Sequence, residues 1–301
     1  MLKIAYHPIY KHPLPKGHRF PMIKYELLPE QLLHEGTCTS SNFFEPERML
    51  DETPILNVHE PIYFYDLLNL TLDKRAARKI GFPLSETLVE REIVIADGTI
   101  KASKHALKYG VALNIAGGTH HAYSNRGEAF CMFNDQAIGA RYLLNEKLAK
   151  KILIVDLDVH QGNGTAEIFQ NDSNVFTFSM HGKSNYPFVK EQSDLDIALE
   201  NNTDDKTYLK ILKEILPKLI EEEQPDFIYY LSGVDVIASD KLGKLGMTIN
   251  GCKERDHFVL KTCKDYNIPV MCSMGGGYSP EIKAIVDAHA NTFRLAQEIF
   301  F

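Results

Sequence analysis

The sequence predicts an α/β protein, a single-domain three-layer α/β/α arrangement around a central, mainly parallel sheet. Strand-like runs alternate with helical stretches along most of the chain. These runs are apolar throughout rather than at every second residue, as strands buried on both faces are. No internal repeat, Ser/Gly-rich linker or Pro-rich linker divides the chain, so residues 1–301 are expected to form one domain. With 44% apolar and 24% charged residues, the composition excludes disordered and low-complexity classes.

Met1–Tyr10 reads as a short strand and lacks the long apolar stretch of a secretory signal. Residues 11–60 hold Pro13, Pro15, Pro21, Pro29, Pro46 and Pro54, and read as loops and short helices laid over a core. Thr99–Lys108 is expected to be a helix stopped by Gly110, with a strand next over Val111–Ile115. Asn134–Lys150 has helical spacing and leads into the β-branched strand Ile152–Val155. Val175–Phe178 is another strand. Asp204 or Asp205 caps a helix carrying Tyr208, Leu212, Leu219 and Ile220, which Pro217 is expected to kink or break. Phe227–Leu231 reads as a strand, Glu254–Tyr266 as a helix, Pro269–Cys272 as a strand and Glu281–Ile299 as the final helix.

A formal charge of −7, without a basic tail or stripe, argues against nucleic-acid binding. No apolar run is long enough to span a bilayer. The five cysteines (Cys38, Cys131, Cys252, Cys263 and Cys272) are odd in number and form no Cys-x-x-Cys pair. Reduced thiols and a cytoplasmic location are the expectation.

The informative residues lie just past the strands. Five strand ends deliver, in order, Gly117-Gly118-Thr119-His120-His121, Asp156-Leu157-Asp158-Val159-His160-Gln161-Gly162-Asn163-Gly164, Ser179-Met180-His181, Ser232-Gly233-Val234-Asp235 and Gly275-Gly276-Gly277-Tyr278. In open α/β sheets ligands bind at that edge. Asp156, Asp158 and His160 alternate, so in extended backbone they point the same way. Asp158, His160 and the distant Asp235 could supply three ligands to one cation, with a position left for water. Such mixed ligands suit Zn²⁺, Fe²⁺ or another divalent ion. Of the two adjacent histidines, Asp156 can accept from one imidazole and Asn163 can orient the other. This yields an acid-like and a base-like group. No Gly-Lys-Ser/Thr comes after Gly275–Gly277, so a phosphate loop fits poorly and a turn presenting the Tyr278 hydroxyl fits better.

At these residues, and at Phe130-Cys131-Met132-Phe133-Asn134-Asp135, the sequence resembles the histone deacetylase family of the arginase/deacetylase fold. The run Asp158–Gly164 and Asp240-Lys241-Leu242-Gly243-Lys244-Leu245-Gly246 look most like the class IV branch and its bacterial relatives. The resemblance implies that Asp158, His160 and Asp235 hold zinc. It makes His120 and His121 the acid/base pair, with Asp156 behind His120 and Asn163 near His121. Tyr278 would hydrogen-bond the acyl carbonyl. Phe130, Tyr186 or Phe188, and Leu242 would wall a tunnel for the acyl-lysine stem, and Gly118 and Gly276 would complete the substrate site. The resemblance also implies a structural K⁺ or Na⁺ near Asp156, Asp158, His160, Ser179 and Met180, and places Arg19 in an internal channel below the metal. Arginase-type dinuclear hydrolases have aspartates where this chain has Gly162 and Ile237, so one catalytic metal is expected. The function expected is removal of an acyl, chiefly acetyl, group from lysine or a related amine. The alternatives are a silent acyl-lysine-binding module and an arginase-like ureohydrolase. Oligomeric state is not encoded in these patterns.

Overall fold

Eight strands form one sheet in the computed structural model, which describes all residues 1–301. In chain order the elements are β1 (Lys3–Ala5), α1 (Lys24–His34), β2 (Phe43–Phe44), α2 (Thr53–Leu56), α3 (Pro61–Leu68), α4 (Lys74–Ile80), α5 (Glu86–Tyr109), β3 (Val111–Asn114), α6 (Asp135–Asn145), β4 (Ile152–Asp156), α7 (Asn163–Phe169), β5 (Val175–Gly182), β6 (Leu195–Leu199), α8 (Asp205–Glu223), β7 (Phe227–Leu231), α9 (Ile249–Asp265), β8 (Val270–Ser273) and α10 (Ile282–Phe300). The spatial order is β2-β1-β3-β8-β7-β4-β5-β6, and every neighbouring pair is parallel.

Strands β3, β4, β7 and β8 are buried at every residue, which accounts for their unbroken apolar runs. On the helical side, α5 packs against α6 and over β1, β3 and β8, while α10 packs against α1 and α9, and α9 against α8. One cluster of 77 buried residues joins these layers.

The topology places the site. Asn114 is level with Ser273, Ser273 with Leu231, Leu231 with Asp156, and Asp156 with Ser179. The carboxyl ends of β3, β8, β7, β4 and β5 therefore lie side by side, although they are far apart in the sequence.

Several elements differ from the sequence expectation. Helix α5 starts at Glu86, capped by the Ser85 hydroxyl, rather than at Thr99. Its first half buries Arg91, Glu92 and Asp97 along with its apolar residues, which obscures any amphipathic pattern. Helix α6 ends at Asn145, and Lys147 then takes a positive φ of 57°. Pro217 lies inside an unbroken α8, whose Leu212, Leu216, Leu219 and Ile220 are buried and hold the helix together on both sides of it. Helix α9 begins at Ile249, behind the Thr248 cap. Strand β5 runs on through Ser179, Met180 and His181, so these residues lie within the strand rather than after it. The edge strands differ from the expectation too: β2 is only the two residues Phe43–Phe44, and β6 mixes Asp196 with apolar residues and is only partly buried, so neither is marked by a long apolar run.

Candidate active site

Beyond β4 the chain keeps alternating. Leu157 and Val159 are fully buried in the core, while Asp158 and His160 turn toward the site. Asp235 does the same between buried Val234 and Val236 after β7. The ligand atoms of Asp158, His160 and Asp235 lie within 4.8 Å of one another, and all three residues are buried. His160 Nδ1 is 3.0 Å from Asp158 Oδ1 and 3.2 Å from Asp235 Oδ2. Backbone amides hold the outer oxygens: Gly276 N donates to Asp158 Oδ2 at 2.8 Å and Val159 N to Asp235 Oδ1 at 3.0 Å.

Burial and then the Asp158 charge push the Asp235 carboxyl up to about 7. Burial alone would lower the His160 pKa, but Asp158 and Asp235 outweigh it and hold the ring at about 10. Asp235 Oδ2 is buried without a hydrogen-bond donor of its own. A Cβ on Gly276 would come within 2.0 Å of that oxygen, and one on Gly233 within 2.3 Å of Asp158 Oδ2. Two glycines thus keep space clear around carboxylates that face one another, and the residues fit a divalent cation.

The histidine pair lies alongside. His120 Nδ1 donates to Asp156 Oδ2 at 2.6 Å, and His121 Nδ1 donates to Asn163 Oδ1 at 2.6 Å. Asn163 Nδ2 in turn donates to the Tyr123 hydroxyl at 2.9 Å, which fixes the amide orientation. Both Nδ1 atoms therefore carry protons. The two Nε2 atoms are 3.1 Å apart, within hydrogen-bond reach if one of them is protonated. Burial disfavours a charge on His120, but Asp156 outweighs it and raises the pKa. Burial, then the neighbouring His120 and His160, push His121 well below the ordinary value. The two environments thus favour the charged form of His120 and the neutral form of His121.

Asp135 ties this turn to the sheet. Its carboxylate accepts from Thr119 N, Thr119 Oγ1, Thr99 Oγ1 and Ser273 Oγ at 2.7–3.0 Å. A Cβ at Gly117, where φ is +80°, would meet Asp135 Oδ2 at 2.2 Å. A glycine is required there.

Two spaces adjoin the cluster. An outer cleft of about 570 Å³ is lined by Phe130, Tyr186, Phe188, Leu242 and Tyr278, with His121 and His160 at its floor. Tyr186 sets its ring edge-on to His121 with centroids 5.0 Å apart, whereas Phe188 is 86% exposed at the rim. Tyr186 is thus the aromatic nearer the histidines. A small inner pocket of about 40 Å³ is lined by Gly118, Gly276, Phe130 and Tyr278 and reaches Arg91. Tyr278 borders both spaces. Arg19 does not line the inner pocket: it lies in the outer cleft, its guanidinium 5.0 Å from the Phe130 ring centre. The inner arginine is Arg91, donating to Tyr10 O at 2.7 Å and paired with buried Glu92. At the expected monovalent-cation position, Asp156 Oδ1 accepts from Asp158 N at 3.1 Å and Ser179 Oγ bonds His181 Nδ1 at 3.0 Å.

Sequence reasoning missed Lys24. It is fully buried, donates to Gly275 O at 3.1 Å, and lies 5.2–5.9 Å from the ring centres of Phe20, Tyr25 and Tyr278. Nothing local marks it, because its partner is 251 residues away.

The histone deacetylase domain family model matches residues 18–293. The chain belongs to the histone deacetylase family. An uncharacterized protein of Picosynechococcus sp. is 44% identical over 297 residues, covering 99% of both chains. Histone deacetylase 2 of Arabidopsis thaliana is 29% identical over 93% of this chain and 74% of its own length. The acetoin utilization protein AcuC of Staphylococcus aureus is 28% identical over 87% of this chain and 73% of its own. Among solved structures, a histone deacetylase homolog complexed with SAHA superposes with a TM-score of 0.85 at 24% identity, covering 99% of this chain and 84% of its own, and so has the same fold. The fold expectation is met, and in this histone deacetylase family chain the motif residues converge on one sheet edge.

Proposed function

We propose that the chain is a zinc-dependent amidohydrolase that removes an acyl group, chiefly acetyl, from lysine or a related amine. The observation that carries this reading is the His120–His121 pair, one imidazole on Asp156 and the other on Asn163, beside the Asp158–His160–Asp235 cluster. A module that only binds acyl-lysine has no need of two adjacent imidazoles, one held by a carboxylate and the other by a neutral amide.

Asp158, His160 and Asp235 would hold the ion, with Fe²⁺ as the alternative to Zn²⁺. When bound, the ion supplies Lewis-acid polarisation of water and of the amide carbonyl. His121 Nε2 accepts a proton from the attacking water, its Nδ1 anchored by Asn163. His120 Nε2 gives its proton to the departing amine, its cationic form held by Asp156. Tyr278, poised between cleft and inner pocket, donates its hydroxyl to the carbonyl oxygen as negative charge develops. Phe130, Tyr186 and Leu242 sheath the lysine stem and exclude water, with Gly118 and Gly276 admitting the acyl end. The C–N amide bond breaks, and carboxylate and free amine leave. One metal suffices, because Gly162 and Ile237 offer no further carboxylate. We also propose that residues 1–301 act as one catalytic domain of the class IV type in a reducing cytoplasm, with K⁺ or Na⁺ near the end of β4.

Incubation of the metal-loaded protein with an acetyl-lysine peptide tests the reading. Release of acetate and of a free lysine amine is expected. A complex that forms and releases nothing would make the protein a binder.

A further inference from the structure

The outer cleft has a charge that opposes the rest of the molecule. The chain carries −7 overall, yet the cleft is lined by Arg19, Lys79 and Lys244 against one carboxylate, Glu128. That carboxylate is already engaged. It accepts from Arg126 Nε at 3.0 Å, from Lys79 Nζ at 3.4 Å and from the Tyr186 hydroxyl. Arg19 and Lys244 are exposed and have no carboxylate partner. Arg19 lies over the Phe130 ring, and Lys244 donates to Ser184 O at 3.1 Å. Each is therefore anchored at a wall of the cleft, one on Phe130 and the other two residues from Leu242, with its charge unneutralised.

On the reading that the cleft admits an acylated amine, we infer that the preferred substrate is an acyl-lysine in an acidic peptide segment, with carboxylates on either side meeting Arg19 and Lys244. A polycationic acylated polyamine or a Lys/Arg-rich tail would bring like charge to the same walls. Charges at the rim of a binding site choose between partners and speed encounter more than they add affinity. They are also screened by salt, since the Debye length falls to about 3 Å at 1 M.

The test uses the full chain loaded with Zn²⁺ and three peptides that share one acetyl-lysine, flanked by Asp, Gly or Lys, together with an acetylated polyamine. Expected kcat/KM falls in the order Asp, Gly, Lys, with about a 10-fold span at low salt that collapses toward 1 M. The double variant Arg19→Glu/Lys244→Glu should reverse the order. Both side chains are exposed, and the ratio between peptides is the readout, so a general loss of activity does not mimic the result. Peptide affinity is measured in parallel with the His121→Ala protein. Equal or basic-favouring kcat/KM, best turnover of the polyamine, or an order untouched by the charge reversal would overturn the inference. Absence of turnover with every substrate would instead count against the deacylase reading, and the affinity order would still decide the charge inference.

Discussion

His120 and His121 are adjacent in sequence, and what separates them chemically is one atom type. Asp156 offers an anionic oxygen to the first and Asn163 a neutral one to the second. His121→Ala is expected to keep its metal and lose about 10²- to 10⁴-fold in turnover, the usual worth of general acid–base catalysis. Turnover near wild type, with metal content unchanged, would remove His121 from the mechanism. The proposed metal ligands should behave differently. Asp235→Asn or His160→Ala should lose bound metal and activity together, by more than the roughly 10- to 100-fold that loss of a supporting partner brings. Elemental analysis alongside kinetics separates the two cases. These residues were legible in the sequence because strand-end alternation and adjacency are local signals. Lys24, Arg91, Tyr123 and Glu128 were not, because each gains its meaning from a partner or a cleft wall supplied by remote chain. Arg19 was expected in an internal channel below the metal but lines the outer cleft, since sequence order does not say which space a long side chain enters.

At the scale of the element, α1 supports the glycine turn after β8. Its first residue, Lys24, holds Gly275 O, the next amide, Gly276 N, holds Asp158 of the proposed metal cluster, and the turn then delivers Tyr278, whose own amide donates to Asp240 Oδ2 at 2.6 Å. Tyr278→Phe should lower kcat about 10²- to 10³-fold with little change in KM, as loss of a donor to a developing oxyanion does. If Lys24 acts by positioning that tyrosine, Lys24→Met costs about 10-fold in the wild-type background and far less on top of Tyr278→Phe. Lys24→Arg should recover part of the loss. Fully additive effects of Lys24→Met and Tyr278→Phe would show that Lys24 does not work through the turn. The central strands and last helices were readable from the sequence because each buries a simple pattern. The first half of α5 was hidden by buried ionic residues, and β6 by its half-exposed edge position. Both cases are tertiary surroundings overriding local pattern.

For the whole molecule, the parallel order β3-β8-β7-β4-β5 converts five separate strand ends into one site. Buried side chains hold the connecting loops, and His59 does part of this: it bonds Tyr123 O through Nδ1 at 2.9 Å and accepts from Asn134 N at Nε2 at 3.0 Å. Burial lowers its pKa from 6.5 to about 4. The neutral ring is therefore the native form, and the unfolded chain binds the extra proton first. The stabilisation is complete above pH 6.5 and is lost as pH falls through about 4, amounting to up to about 3 kcal/mol at about 1.4 kcal/mol per pKa unit. Buried His181, lowered to about 4 by burial, adds to the same window. Urea unfolding at several pH values should show stability falling over that range, with a shallower fall in His59→Gln. An equal slope in the variant would assign the acid sensitivity elsewhere.

The central claim is that the Asp158–His160–Asp235 cluster and the adjacent histidine pair form one metal-dependent deacylase centre. Its most direct test is turnover of an acetyl-lysine peptide during stepwise return of Zn²⁺ to chelator-stripped protein. Activity should be absent in the stripped protein, rise linearly and level off at one ion per chain. Full turnover without metal, or a plateau only at two ions, would contradict the account.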